Sequence, residues 1–299
     1  MDRLLTMSVF VAVAEEAGFA AAARRLNMSP SSVTRAVGDL EARIGARLLH
    51  RTTRSVTLTE AGERYLVDCR HILNDVEEAD RHAAGVHASP SGEVWITGSV
   101  VFGRMVLTPA LLELQDQYPE ISISTLFVDR MVHLIDEGMD IAIRIAELPD
   151  SSLIAIRVGE VRRALCAAPS YLAASGPLQT PGDLLNHDLI EVSHETLRGE
   201  WDFQIDGKAT TFKVKSRARF NIADPAIDAA LSGRGITRVL SYMVAPHVET
   251  GDLVIVLPEF EPPPLPVHVV HKEAGQASAR VRAAVDFLVQ KLREDPRLR

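Results

Sequence analysis

The chain is short of several things. It has two cysteines, Cys69 and Cys166, far apart and outside any CxxC spacing, which argues against a zinc site or a disulfide framework and fits a reducing cytoplasm. No apolar run approaches the roughly 20 residues of a membrane-spanning helix, so no membrane role is expected. Met1-Asp2-Arg3-Leu4-Leu5 is followed by no small-residue cleavage site, so no secretory leader is expected either. GxSxG, HExxH and P-loop frames are missing, and Gly233-Arg234-Gly235 lacks the third glycine and the preceding strand of a dinucleotide loop. The expectation is therefore a protein that is not an enzyme and holds neither metal nor cofactor. Its 24% charged and 46% apolar content sets disorder aside, and 299 residues suit two or three globular units.

Net positive charge is also lacking: the total is −8, at first sight wrong for a nucleic-acid partner. The distribution reverses that reading. Residues 21–58 carry seven arginines against Asp39 and Glu41, a local +5, whereas residues 61–299 sum to −10. A basic head on an acidic body suits a DNA reader with a separate non-DNA domain.

The head reads as three helices. Leu4 to Ala17 carries Leu5, Phe10, Val13 and Ala14 at helical spacing, and Gly18 stops it. Ala20 to Leu26 is short and alanine-rich. After an Asn27-Met28 turn, Ser29 stands as N-cap with Pro30 at the first helical position, and the third helix runs to Ile44 with Val33, Val37, Leu40 and Ile44 on its buried face. Gly45 ends it. A short helix, a tight turn and a longer helix make a helix-turn-helix. The second helix of that pair presents Ser31, Ser32, Thr34 and Arg35, small groups that let it sit deep in the major groove of double-stranded DNA. Whether Arg35 meets a base edge or a phosphate stays open. Residues 48–58 follow as two β-prone segments around a polar tip, a wing with Arg51, Thr53 and Arg54 for the backbone or minor groove.

The order of these pieces, AAARRL, SPSSVTR, LEARIG, RTTR and LTEAG between Phe19 and Leu66, resembles the LysR-type transcriptional regulators, in particular the subgroup with an RTTR wing. One departure is the turn, where Asn27 and Met28 replace the commoner glycine-containing form.

Thr59 is expected to cap a helix running to about Ala84, with Tyr65, Cys69, Ile72, Val76, Ala79 and Ala83 stepping 4, 3, 4, 3, 4 as a heptad seam. Two readings stay open: pairing with a second copy, as the resemblance implies, or packing on its own chain. In the first, Cys69 is a small seam residue. Residues 1–58 are thus read as the winged helix-turn-helix, 59–88 as the dimerising linker, and 89–299 as the regulatory domain.

From Glu93 strands alternate with helices, an α/β layout with a mainly parallel sheet. Helices are expected at Thr108–Tyr118, at Met131–Glu137, from Asp224 as cap to Ser232, and at Ala277–Arg293; a single strand is expected over Phe212–Phe220. PALLELQDQYPEI, IAIRIAELPDSSL and LCAAPSYLAASGPLQTPGDL resemble the LysR effector domain, itself similar to two-lobed periplasmic binding proteins. That likeness implies a first lobe of residues 93–162 and 268–299, a second of 163–267, and an effector cleft between them. Ser99, Val100, Val101 and Phe102 follow the first strand, where free amides suit a carboxylate, although the valines make the floor apolar. The resemblance adds Asp129, Arg144, Ser193, Phe203, Asp224 and Thr237. Arg144 stands out as counter-ion for a carboxylate, with pairing to an acid of its own lobe as the alternative, and core packing as the alternative for Phe203. It further implies homodimers paired into homotetramers, a possible contact with RNA polymerase, and a cytoplasmic location. The competing readings are a ligand-independent DNA-binding repressor or architectural protein with a vestigial sensing domain, and a redox switch at Cys166, which has no resolving partner.

Overall fold

A computed structural model describes residues 2–51, 56–83, 89–193, 199–272 and 278–299. The head opens with α1 (Arg3–Glu15), α2 (Phe19–Arg25) and α3 (Pro30–Ile44). Met7, Val9, Phe10 and Val13 of α1 bury against Val33, Ala36, Val37 and Leu40 of α3, and Ala22 and Ala23 of α2 close the third side. Asn27 takes φ 52, a left-handed conformation that asparagine tolerates, so the turn forms without a glycine. Ile44 departs from expectation: it is exposed, and Ala36 fills the buried face instead. Ile44 is the last residue of α3, and Gly45 leaves the helix at φ 76 before a fourth element covers it.

The wing pairs β1 (Leu49–Arg51) with β2 (Val56–Leu58), Leu49 opposite Leu58. The Glu41 carboxylate accepts the Leu48 and Leu49 amides at 2.9 and 3.2 Å, tying the wing to α3. Thr53, Arg54 and the side chain of Arg51, all expected at the wing tip, lie outside the described residues, as do linker residues 84–88.

Thr59 caps α4 (Glu60–Ala83): its hydroxyl accepts the Gly62 amide at 2.9 Å and donates to the Arg47 carbonyl at 2.7 Å. The heptad seam of α4 is not one continuous stripe. Leu66 and Cys69 are drawn into the head's own core, and the Tyr65 ring lies 5.9 Å from that of Phe10, because the three-helix head needs this wall. Cys69 is therefore a core residue. Ile72 and Ala79 stay exposed. Further contacts seat α4 on the body: Arg70 lies 5.1 Å over Trp95 and pairs with Glu15 at 3.0 Å, His71 is 3.8 Å from Asp140, and Asp75 is 3.6 Å from Arg280.

The body runs β3 (Gly92–Gly98), α5 (Val100–Phe102), a π-helical turn (Gly103–Leu107), α6 (Thr108–Gln117), β4 (Ile121–Phe127), β5 (Ile141–Ile145), β6 (Ile154–Val161), β7 (Arg163–Ala167), α7 (Pro169–Ala174), β8 (Leu189–Val192), β9 (Glu200–Ile205), β10 (Lys208–Lys213), β11 (Ser216–Phe220), α8 (Ala223–Leu231), β12 (Ile236–Leu240), α9 (Ser241–Glu249), β13 (Val254–Val256), β14 (Leu265–His271) and α10 (Ala279–Glu294). Two five-stranded sheets result, ordered β4-β3-β5-β14-β6 and β11-β8-β12-β7-β13, with β9–β10 as a separate hairpin. The expected mainly parallel sheet is corrected: each sheet has two parallel and two antiparallel pairings. One inverted strand per sheet is responsible. β7 carries the chain into the second lobe and β14 carries it back. A strand arriving from the other lobe enters at the end towards which the parallel strands point, so it must run against them.

Three local expectations also change. Met131–Glu137 is irregular to His133 and a turn from Leu134 rather than a helix, pinned where Arg130 grips Glu137 through two hydrogen bonds of 2.8 and 2.6 Å. Phe212–Phe220 divides between β10 and β11, because the first part folds back on β9. Asp224 lies inside the first turn of α8; the cap is Ile222. Among the described residues, no helix is long and apolar enough to cross a membrane.

Candidate nucleic-acid interface and effector cleft

At the start of α3 the Ser29 hydroxyl accepts the Ser32 amide at 3.1 Å and touches the Ser31 and Ser32 hydroxyls at 2.9 and 2.8 Å. The Thr34 hydroxyl gives its proton to the Pro30 carbonyl at 2.9 Å, leaving its oxygen as an acceptor. Ser29, Pro30, Ser31, Thr34 and Arg35 are exposed and Ser32 half-buried, while Val33, Ala36, Val37 and Leu40 on the opposite side are sealed in the core. Among the described residues Arg35 has no ion pair, in contrast to Arg25, held by Glu15 at 2.7 Å and Glu16 at 3.4 Å. The basic excess counted along the chain is thus partly neutralised within the head, and Arg35 keeps its full charge for an outside anion.

In the body the sequence-expected cleft residues divide. Ser99, Val100, Val101, Phe102 and Asp129 meet at the carboxyl ends of β3 and β4. The Val100 amide, expected to be free for an anion, donates to the Asp129 carboxylate at 3.0 Å. That turn therefore already holds a negative charge and disfavours a second. The lobes are closed on each other. Phe102 stacks edge-on against Tyr242 of α9 with ring centroids 5.3 Å apart, and Val101, Ala223 and Val239 join the same hydrophobic cluster. Arg104 bridges to Asp224 across the lobes at 2.7 Å. The Ser99 and Tyr242 hydroxyls are buried at this contact and, among the described residues, have no partner beyond each other, and burial pushes the Tyr242 phenol above its ordinary value. Under-satisfied buried hydroxyls are costly, which makes them candidates for ligand contacts.

Ser193 follows β8, its amide donating to the Phe220 carbonyl at 2.9 Å, one residue beyond Val192, which lines a second-lobe cavity. Three expected residues lie elsewhere. Phe203 is fully buried between the β9–β10 hairpin and the second sheet, stacked edge-on against Phe212 at 5.6 Å. Thr237 is fully buried and its hydroxyl donates to the Ile190 carbonyl at 3.1 Å, a bond within the sheet. Arg144 points to the outer face of the first sheet, for strand alternation puts it with Ala142, away from Ile141 and Ile143 in the main core.

Residues missed from sequence supply the polar wall instead. A cavity of about 220 Å³ lies at the carboxyl ends of β8 and β12, lined by Arg163, Val192, Trp201, Ala223, Arg238, Val239, Leu240 and Met243. This is where ligands bind in open α/β sheets. Arg238 lies 5.1 Å over the Trp201 ring and donates to the Asp202 and Glu200 carbonyls at 3.3 and 3.4 Å. Burial, helped by Arg163, pulls its pKa down to about 10. Neither arginine has a carboxylate within ion-pair distance among the described residues, so both face the cavity with charge unmatched. The missing signal was β12 itself: without that strand, Arg238 had no assigned face.

The thiols are inert by burial, which pushes both Cys69 and Cys166 up to about 12. At pH 8 only about one in 10⁴ of such thiols is ionised. A disulfide reagent is therefore expected to label neither cysteine in the folded protein and both after unfolding; rapid native labelling of Cys166 would revive the redox reading.

Comparison with known proteins agrees with this anatomy. Residues 4–63 match the family described as bacterial regulatory helix-turn-helix protein, lysR family, and residues 87–293 match the LysR substrate binding domain. An HTH-type transcriptional repressor of Pseudomonas aeruginosa is 33% identical over 300 residues, covering 100% of this chain and 95% of that one. The HTH-type transcriptional activator AaeR of Escherichia coli is 33% identical over 291 residues, covering 96% of this chain and 93% of that protein. The solved structure of CrgA, a LysR-type transcriptional regulator from Neisseria meningitidis, superposes with a TM-score of 0.63 at 29% identity, covering 96% of this chain and 98% of that chain. A helix-turn-helix head and, behind it, a two-lobed effector domain are thus the working parts of a DNA-binding transcription regulator, and the chain belongs to the LysR-type family.

Proposed function

We propose that two copies pair through the exposed strip of α4 around Ile72 and Ala79, so that each inserts α3 into one of two adjacent major grooves of a two-fold operator. Ser29, Pro30, Ser31, Ser32, Thr34 and Arg35 make the groove contacts, and Arg51, Thr53 and Arg54 of the wing reach the backbone or minor groove. The protein works in the cytoplasm, assembles into tetramers through its regulatory domains, contacts RNA polymerase where it activates, and turns over no substrate. An anionic effector places its charge on Arg163 and Arg238, away from Asp129, and its uncharged end beside Ser99, Asp224 and Ser193. To reach the buried Ser99 and Tyr242 hydroxyls it must part Arg104 from Asp224, so its binding biases the angle between the lobes. Such coupling needs a ligand that prefers one lobe arrangement.

The observation that carries the DNA reading is Arg35, exposed and, among the described residues, without an ion pair, on a helix whose other face is sealed. Arg35→Ala is expected to weaken operator binding by about 1–3 kcal/mol, roughly 5- to 150-fold, with oligomer size unchanged. Mobility-shift titration beside light scattering checks it, and unaltered affinity would mean that another face reads the DNA.

The closed lobes and small cleft cavity also fit the ligand-independent repressor. A thermal-shift screen of anionic metabolites separates the two readings: stabilisation by none of them favours the repressor.

A further inference from the structure

A cavity of about 530 Å³ lies outside the cleft. It lies on the outer face of the first sheet, opposite the face that α10 covers. Its existence follows from topology. The connections β4–β5 and β5–β6, residues 128–140 and 146–153, are loops where a helix would have filled the space above the sheet. Val132, Leu148, Leu153 and Ala155 wall the cavity, and Arg144 and His268, cross-strand neighbours in β5 and β14, share its floor.

Of the two floor residues, Arg144 has donors to spare. Arg144 is half-buried, and its guanidinium donates to the Val132 carbonyl. Burial lowers its pKa. No carboxylate pairs with it among the described residues; Glu137, the acid that acts on it, is held by Arg130 at 2.6 Å. The His268 ring lines the cavity beside it; burial holds the ring below its ordinary pKa against a hydrogen bond with the Ala146 backbone, so it adds a polar edge to the floor without adding charge. At the rim Glu147 and Asp150 are exposed and disfavour a second negative charge on any occupant. The volume is that of a small-molecule pocket rather than a packing defect.

We infer that this outer pocket is a second small-molecule site, distinct from the cleft, which takes a monocarboxylate with a compact apolar body, its carboxylate on Arg144 and His268. The loop that walls the site also carries the linker helix. Four residues beyond Leu134 of the lining, Gly138 lies so close to α4 that an added Cβ would sit 2.2 Å from Val67, and Asp140 is 3.8 Å from His71. An occupant therefore bears on the wall that supports the DNA-binding head, without passing through the lobe angle.

The chain's two tryptophans report the two sites separately. Trp95 shares the outer-face cluster with Leu148 and Leu153, and Trp201 lines the cleft cavity. The full chain labelled with 5-fluorotryptophan is titrated with benzoate and with hexanoate and followed by fluorine NMR. At millimolar probe the Trp95 resonance is expected to shift saturably, with affinity at least about tenfold weaker in Arg144→Gln and unchanged in Arg163→Gln. A Trp95 resonance that stays still with both probes overturns the inference, whether or not Trp201 moves; movement of Trp201 alone would leave the cleft reading standing. Equal Trp95 affinity in Arg144→Gln overturns it too. If Arg144→Gln disturbs both resonances before any probe is added, Ala155→Leu, which fills the cavity, is read by the same criterion.

Discussion

Replacing Phe203 by alanine is expected to cost the body of the protein about 3–5 kcal/mol with no ligand present. The side chain is 0% exposed, stacks edge-on against Phe212, and closes a cluster with Leu165, Leu189, Trp201 and Ile236 between the hairpin and the second sheet. A residue in a ligand cleft behaves differently: its truncation weakens effector binding and leaves the unliganded fold nearly unchanged. Chemical unfolding of Phe203→Ala, followed by the tryptophan signal, separates the two. A loss under about 1 kcal/mol would return Phe203 to the cleft, since surface and pocket truncations seldom exceed that.

The second large effect lies at the joint between head and linker. Gly62 is in the first turn of α4, and an added Cβ would stand 2.0 Å from the Leu48 carbonyl oxygen. That oxygen accepts the Thr59 amide at 3.0 Å, so it cannot retreat without loosening the cap of α4. Helix propensity alone predicts that Gly62→Ala stabilises by about 1 kcal/mol. The backbone contact predicts the opposite, a loss of about 3 kcal/mol or more, because the obstacle is main chain rather than a mobile side-chain end. The sign of the change therefore decides the matter. Thermal melting of the head, read by loss of operator binding on heating, should fall in Gly62→Ala; a rise would show that wing and linker are not packed this way.

Both cases show where local pattern stops being informative. Ser29, Pro30 and Gly45 mark the ends of α3 through hydrogen bonds and dihedrals spanning only a few residues, and these were legible. Thr59 was equally plain as a cap. The heptad steps of α4 were correctly spaced, yet spacing does not say which partner each residue meets, and Cys69 went to the head rather than to a second helix. In the body, the motif IAIRI places Arg144 opposite its isoleucines, but whether that face looks into a cleft, a core or an outer cavity depends on how two distant loops cross the sheet. The strands β9 and β12 were not read, and without them the core alternative for Phe203 stayed undecided and Arg238 had no face.

By itself the amino-acid order determined the helix-turn-helix, its capped reading helix, the alternating α/β body and the kinship of the chain, because each is written in contacts between near neighbours or in motifs of fixed spacing. Only the tertiary structure decided that the two lobes close on Phe102 and Tyr242, that Arg163 and Arg238 rather than Arg144 face the cleft, and that an unfilled space lies on the outer face of the first sheet. Those facts rest on segments brought together from far along the chain, and the alternation of a strand names a side chain's face without naming what will cover it.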